Sequence, residues 1–221
     1  METKTKSIMF SLLFAFSLIS FCAAQPANAD TLKNKELELD QTEKRIEKIE
    51  NNLAKMQIYT HNHAFLTHGQ YNFYIIFDDF FKQEEKELKE EIKQQKVKRR
   101  CILKKISKIK RQQKIVKRAI SKIGCPYSWG GCSSLGFDCS GFVSYCLTGK
   151  ENTRIGTTAD FINWPIAKNP APGDICVVHN GAHQHTGVYI GNGFMIHASG
   201  YGVGVIKSKV GSDMIIVKSI I

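Results

Sequence analysis

A cysteine at a loop-to-helix junction is the residue of this chain best suited to nucleophilic chemistry. Residues 124–146 read Gly-Cys-Pro-Tyr-Ser-Trp-Gly-Gly-Cys-Ser-Ser-Leu-Gly-Phe-Asp-Cys-Ser-Gly-Phe-Val-Ser-Tyr-Cys. Pro126, Gly130, Gly131 and Gly136 punctuate the first part, so residues 124–137 are expected as a shaped loop. Phe142, Val143, Tyr145 and Cys146 then recur at helical spacing, which predicts a buried helix starting near Asp138 or Cys139. Cys139 would sit in its first turn, where free N–H groups and the helix dipole favour a thiolate. Gly141 would leave room for a substrate backbone to approach. The plain alternative is that Cys139 is a buried small hydrophobe, as many free cysteines are.

A thiol nucleophile needs a base, and the base needs an orienting partner. Two histidines qualify, His185 and His197, on either side of a hairpin pattern. His185-Thr186-Gly187-Val188-Tyr189-Ile190 reads as a strand, Gly191-Asn192-Gly193 as a tight turn and Phe194-Met195-Ile196-His197 as the returning strand. A three-residue loop would pair Ile190 with Phe194. Val188, Ile190, Phe194 and Ile196 then share one apolar face, and His185 and His197 become diagonal neighbours on the other, roughly 7–8 Å apart at the backbone. A two-residue loop would put the histidines on opposite faces. Each histidine taken alone is equally at home as a structural strand residue. A zinc site from Cys176, His179, His183, His185 and His197 is a rival chemistry, but its spacing fits none of the common ligand patterns. Ile175-Cys176-Val177-Val178 precedes the hairpin as a buried strand, and Thr148 to Asn163 is a polar stretch that carries Arg154, Thr157 and Thr158.

The rest of the chain must deliver and hold these residues. Lys4 and Lys6 precede an apolar run from Ile8 to about Ala24, and Ala27-Asn28-Ala29 is a small-x-small cleavage site, so residues 1–29 read as a signal peptide for export. The whole chain has a formal charge of +11, and loss of Lys4, Lys6 and Glu2 would leave the mature chain, from Asp30, strongly basic. That charge is concentrated in residues 93–122, which contain no acidic side chain. Such a stretch ordinarily suggests nucleic acid, which export argues against. Anionic wall polymers, a membrane surface or plain solvent are the remaining partners for a cationic helix.

Residues 30–109 read as a helical coiled-coil arm. Leu32, Leu39, Ile46, Ile49, Leu53 and Met56 keep heptad spacing, with Lys35 and Thr42 weakening the early seam. Leu88, Ile92, Ile102, Ile106, Ile109, Val116, Ile120 and Ile123 form a second run, predicting one long helix from roughly Asp79 to Ile123. The two are expected to fold back as an antiparallel hairpin, or to serve self-association or a protein partner. Tyr59 to Phe81, rich in aromatics and carrying His61, His63 and His68, would form the tip. Seven cysteines in an exported chain suggest disulfides. If Cys139 stays a thiol, Cys101, Cys125, Cys132, Cys146 and Cys176 cannot all pair; Cys125 and Cys132 could bridge across the loop, and the alternative is that most are buried thiols in a chain from a reducing or anaerobic setting.

Taken together, Pro126-Tyr127-x-Trp129-Gly130-Gly131, Phe137-Asp138-Cys139-Ser140-Gly141-Phe142, His185-Thr186-Gly187-Val188-Tyr189-Ile190-Gly191 and Ile196-His197 resemble the NlpC-type family of bacterial cell-wall cysteine peptidases. The resemblance covers roughly Ile115 to Ile221, about half the chain, and implies a peptidase domain over residues 110–221. It implies a papain-like α+β fold, helices packed on a small antiparallel sheet, behind the signal peptide and arm. It implies Cys139 as nucleophile, His185 as general base and acid, and His197 as the residue orienting His185. Tyr127 would lie beside the oxyanion site, and Asp138 and Ser140 would contact substrate. No metal or organic cofactor is implied. The implied protein is a secreted, wall-associated peptidoglycan hydrolase that cuts stem peptides between D-γ-glutamyl and the diamino acid. A wall protein that binds stem peptides without cleaving them, and an amidase on the same fold, are the alternatives. His183, two residues before His185, competes for the role of base.

Overall fold

The computed structural model describes residues 26–63, 71–181 and 183–220, with backbone alone for 26–28, 59–63 and 71–78. The apolar part of the signal segment lies outside these residues, as do His68 and the side chains of His61, His63 and most of the aromatic stretch. The chain divides into two units, Met1–Ile109 and Lys110–Ile221.

The first unit is helical. Helix α1 spans Pro26–His63 and α2 spans Tyr71–Ser121, eight residues longer at its start than the apolar pattern predicts. The absence of glycine and proline lets α2 run on without a break. Within the unit the helices pair antiparallel: Gln57 bonds Glu85, Lys96 pairs with Glu50, and Arg99 with Glu43. Ile46, Ile49, Ile92, Ile102 and Ile106 are buried along the seam. Thr42, which looked like a flaw in the heptads, is buried too, because its hydroxyl donates to the Glu38 carbonyl one turn back and is thereby satisfied. No helix among the described residues is long and apolar enough to cross a membrane.

The second unit is α+β, as expected from the motifs. From Lys110 the last turns of α2 lead into a tiny hairpin, β1 (Cys132–Ser133) and β2 (Gly136–Phe137), inside the segment expected as loop. Helix α3 follows at Cys139–Thr148, then a single turn α4 at Thr158–Phe161 within the polar stretch. Five antiparallel strands complete the unit: β3 (Ile175–His179), β4 (Gln184–Gly191), β5 (Phe194–Ala198), β6 (Val205–Lys209) and β7 (Ile215–Val217), in the order β6-β5-β4-β3-β7. The last two strands were not read from the sequence.

One face of the sheet builds the core. Ile175, Val177, Val188, Ile196, Ala198, Val205 and Val217 are completely buried with Phe137, Phe142, Val143 and Phe161. Phe137 and Phe142 meet edge to face at 5.8 Å, fixing the start of α3 against the loop that precedes it. At the other end of α3, Gly149 takes a left-handed conformation and Arg118 donates to the carbonyls of Cys146 and Leu147 at 2.9 and 3.0 Å. A guanidinium at a helix C-terminus meets both its free carbonyls and its negative dipole end. Arg118, part of the basic run, is therefore structural rather than solvated.

The hairpin register departs from the expectation in an informative way. Val188 pairs with Ile196 and Tyr189 with Met195, as a three-residue loop requires, but Gly191 then pairs with Phe194 across a bulge. The turn itself is the two-residue Asn192-Gly193, both at positive φ, 53° and 75°. The bulge absorbs the one-residue difference. A two-residue turn therefore coexists with both histidines on one face, the combination that strict alternation had excluded.

Candidate active site

The head of α3 is built by Asp138. Its carboxylate caps the helix, accepting from Gly141 N–H at 2.6 Å, and also receives the Gly130 N–H at 2.9 Å. Arg154 grips both its oxygens, at 3.1 and 2.7 Å, and also donates to Ser140 Oγ. The expectation that Asp138 and Ser140 face a substrate meets a different geometry. Both are buried and their polar atoms are occupied within the chain. Gly141 is likewise reassigned: the backbone that approaches it is the chain's own, since a Cβ there would lie 2.0 Å from the Gly131 carbonyl oxygen. Arg154 and Gly131 complete the helix head from loops, and only folding reveals that they belong to it.

Cys139 opens α3 with its sulfur facing backbone N–H groups of Thr186, Ser140 and Cys139 itself, which favour the thiolate. Burial and the neighbouring Asp138 carboxylate oppose them and win, so the thiol sits above its ordinary pKa. This corrects the expectation from the helix N-terminus. The dipole end is present, but the cap residue that makes it also brings a negative charge into a desolvated site. The Thr186 contact places the sulfur beside the residue that follows His185.

His185 and His197 come together as diagonal neighbours. His185 Nε2 and His197 Nδ1 are 2.6 Å apart, with the rings edge to face at 4.7 Å. Gly187, opposite His197, makes this approach feasible, because a Cβ there would lie 2.9 Å from that of His197. Burial, then the nearby His183, lowers the His185 pKa; burial, then His185, lowers that of His197 to about 4. Both rings are therefore neutral near pH 7. His183 stacks on His185 at 6.2 Å but is exposed and bonded through Nδ1 to Asp213 at 2.6 Å. Its ring is tied to a surface carboxylate, whereas His185 is half-buried and keeps Nδ1 for a reacting group.

Tyr127 neighbours the thiol. Burial, followed by the charges of Cys139 and Asp138 and then Tyr201, raises its pKa and keeps the phenol protonated as a donor. Tyr201, unremarked in the sequence, packs on it edge to face at 5.0 Å. A cleft of about 470 Å³ opens off the same loop between Ser128, Leu135 and Arg154, but Cys139, His185 and His197 do not line it.

The zinc set is dispersed. His179 lies on the core face, bonded to Thr158 Oγ at 3.1 Å, while Cys176, His185 and His197 fall on the opposite face. No group of three candidate ligands converges among the described residues. The six described cysteines are free thiols. Cys146 is fully buried in the core and its thiol is pushed well up, as is that of buried Cys176, to about 12.

A desolvated thiol at a helix head and a strand-borne imidazole pair on an antiparallel sheet, held in one unit, define a cysteine–histidine domain of the α+β class. Residues 124–218 match the model of the NlpC/P60 family. The chain is 39% identical over 95 residues to the probable peptidoglycan endopeptidase LytE of Bacillus subtilis, covering 41% of this chain and 28% of that protein. It is 36% identical over 102 residues to the peptidoglycan endopeptidase RipB of Mycobacterium tuberculosis, covering 39% and 42%. It thus spans less than half the length of either relative. Among solved structures, the NlpC/p60 domain of the peptidoglycan hydrolase SagA aligns with 48% of this chain and 97% of its own at 28% identity, TM-score 0.40.

Proposed function

We propose that the C-terminal unit is a cysteine endopeptidase that cleaves peptidoglycan stem peptides, at the bond between D-γ-glutamyl and the diamino acid. The observation that carries this reading is the 2.6 Å link between His185 and His197, on the sheet whose core is shared with the helix that Cys139 opens. Peptidoglycan as substrate is supported by the names of the relatives. The signal-like N-terminus supports action outside the cell, at the wall, and the basic arm supports contact with anionic wall polymers or a partner protein.

In this mechanism Cys139 attacks the scissile carbonyl as His185 Nδ1 removes its proton. Starting from a neutral thiol and a neutral imidazole, charge develops only as the bond forms. The oxyanion is held by the Cys139 N–H and the Tyr127 hydroxyl. Protonated His185 delivers its proton to the leaving amine, and water, activated by the same ring, resolves the thioester. His197 orients His185 throughout. No step requires a metal or an organic cofactor.

Mass spectrometry of muropeptides digested with the wild type and with Cys139→Ala tests this. New D-γ-glutamyl and diamino acid ends that disappear in the variant support it. Ends produced at the lactyl-alanine bond would indicate an amidase, and intact muropeptides retained by the protein would indicate a binder. Cleavage that persists in Cys139→Ala would sink the assignment, and abolition by a chelator would restore the zinc reading.

A further inference from the structure

Ser208 lies on β6, a strand that no motif marked, beside the imidazole pair. The β5–β6 register pairs Met195 with Ser208 and His197 with Ile206, so Ser208 is the diagonal neighbour of His197 on the same face. His185, His197 and Ser208 therefore form one row across β4, β5 and β6. Ser208 Oγ lies 2.9 Å from His197 Nε2 and 3.1 Å from the Lys209 carbonyl oxygen.

A hydroxyl has one hydrogen and a carbonyl can only accept. With its hydrogen directed to Lys209, Ser208 must accept from His197, so Nε2 of His197 is the protonated nitrogen. A neutral ring protonated there has a bare Nδ1. The contact between the two rings then takes its hydrogen from His185 Nε2, which leaves Nδ1 of His185 bare. The reverse polarity, with Ser208 donating to His197, would put hydrogen on His185 Nδ1 and leave it unable to accept the thiol proton.

We propose that Ser208 is a positioning residue that locks His185 in its Nε2–H tautomer through His197, and so keeps its Nδ1 ready as the base. The proposal rests on the assignment of His185 and Cys139 above, but its main readout needs no turnover. Long-range ¹H–¹⁵N correlation spectra of the uniformly labelled full chain report each imidazole tautomer directly. Wild type is expected to show protonated Nε2 and bare Nδ1 on both His185 and His197. Ser208→Ala removes the acceptor and should give mixed tautomers at both rings, with kcat lowered on the order of tenfold, a fraction of the 10²–10⁴ typical of general base catalysis, and KM little changed. Ser208→Thr should restore both readings. A wild-type His185 protonated on Nδ1 overturns the proposal. So do pure, unchanged tautomers in Ser208→Ala, whether or not kcat falls. Loss of the peptidase assignment would show instead as cleavage by Cys139→Ala, and would leave the spectra as they are.

Discussion

The two units of this chain achieve order by different means. The helical unit relies on a thin row of isoleucines, flanked by ion pairs such as Arg99–Glu43 and Lys96–Glu50 whose side chains are about half exposed. The C-terminal unit encloses a three-dimensional core whose central side chains have no exposure. The first arrangement has many small and replaceable contacts. The second has few tolerances, and its site depends on close approaches that leave no room for an added methyl. Substitutions in the two units should therefore differ sharply in consequence.

The largest effect is expected at the sulfur. Cys139→Ala should lower muropeptide cleavage by at least roughly 10⁴-fold with an unchanged circular dichroism spectrum. A smaller loss would mean that the compact unit does not concentrate its chemistry there. Next is Gly187→Ala, whose methyl would lie 2.9 Å from His197 Cβ and must push the two strands apart. A kcat loss on the order of 10²-fold is expected from such a displacement, while Gly200→Ala, at a site with open space around it and no left-handed backbone, should leave kcat intact. Equal effects from both would remove the argument from close packing.

The pH profile comes third. His185 must be neutral to act as base, and its pKa lies below the ordinary 6.5, so kcat/KM should hold below that pH and fall only on further acidification. The thiol lies above the ordinary 9.0, so the alkaline limit should appear beyond that value. An acid limb above 6.5 would contradict the desolvated, neutral pair. Stability follows the same sign. His197 titrates at about 4 in the folded chain against an ordinary 6.5, so the unfolded chain binds the proton first. This contribution is complete above 6.5 and is lost as pH falls through about 4, which denaturant titrations at several pH values would detect.

Asp138→Ala removes the helix cap and leaves Arg154 without its carboxylate, which should cost about 3 kcal/mol in chemical unfolding of the C-terminal unit. The smallest effect belongs to the helical unit. Arg99→Ala breaks an exposed pair and should move its thermal midpoint by no more than about 2 °C. A large shift there would show that the surface pairs, rather than the isoleucine row, hold the helices.

Local patterns made much of this legible. Helical spacing announced α3, and the absence of breakers announced the long α2, although its start came earlier than the apolar residues indicated. Alternation put His185 and His197 on one face, even though the turn that achieves it contains a bulge. Asp138 was assigned to substrate and Gly141 to free space, because the spacing of residues cannot reveal that Arg154 and Gly131 return to the same point. Ser208 carried no signal beyond being a polar residue in an alternating strand.

By itself, then, the sequence determined which residues could be nucleophile and base, since identity and short-range periodicity depend only on neighbours along the chain. Tertiary structure alone decided the ionisation of Cys139, the displacement of His183 by its bond to Asp213, and the direction of hydrogen bonding from His185 to Ser208. Those properties come from desolvation and from contacts between residues distant in the chain, and neither quantity exists until the sheet and α3 have closed around them.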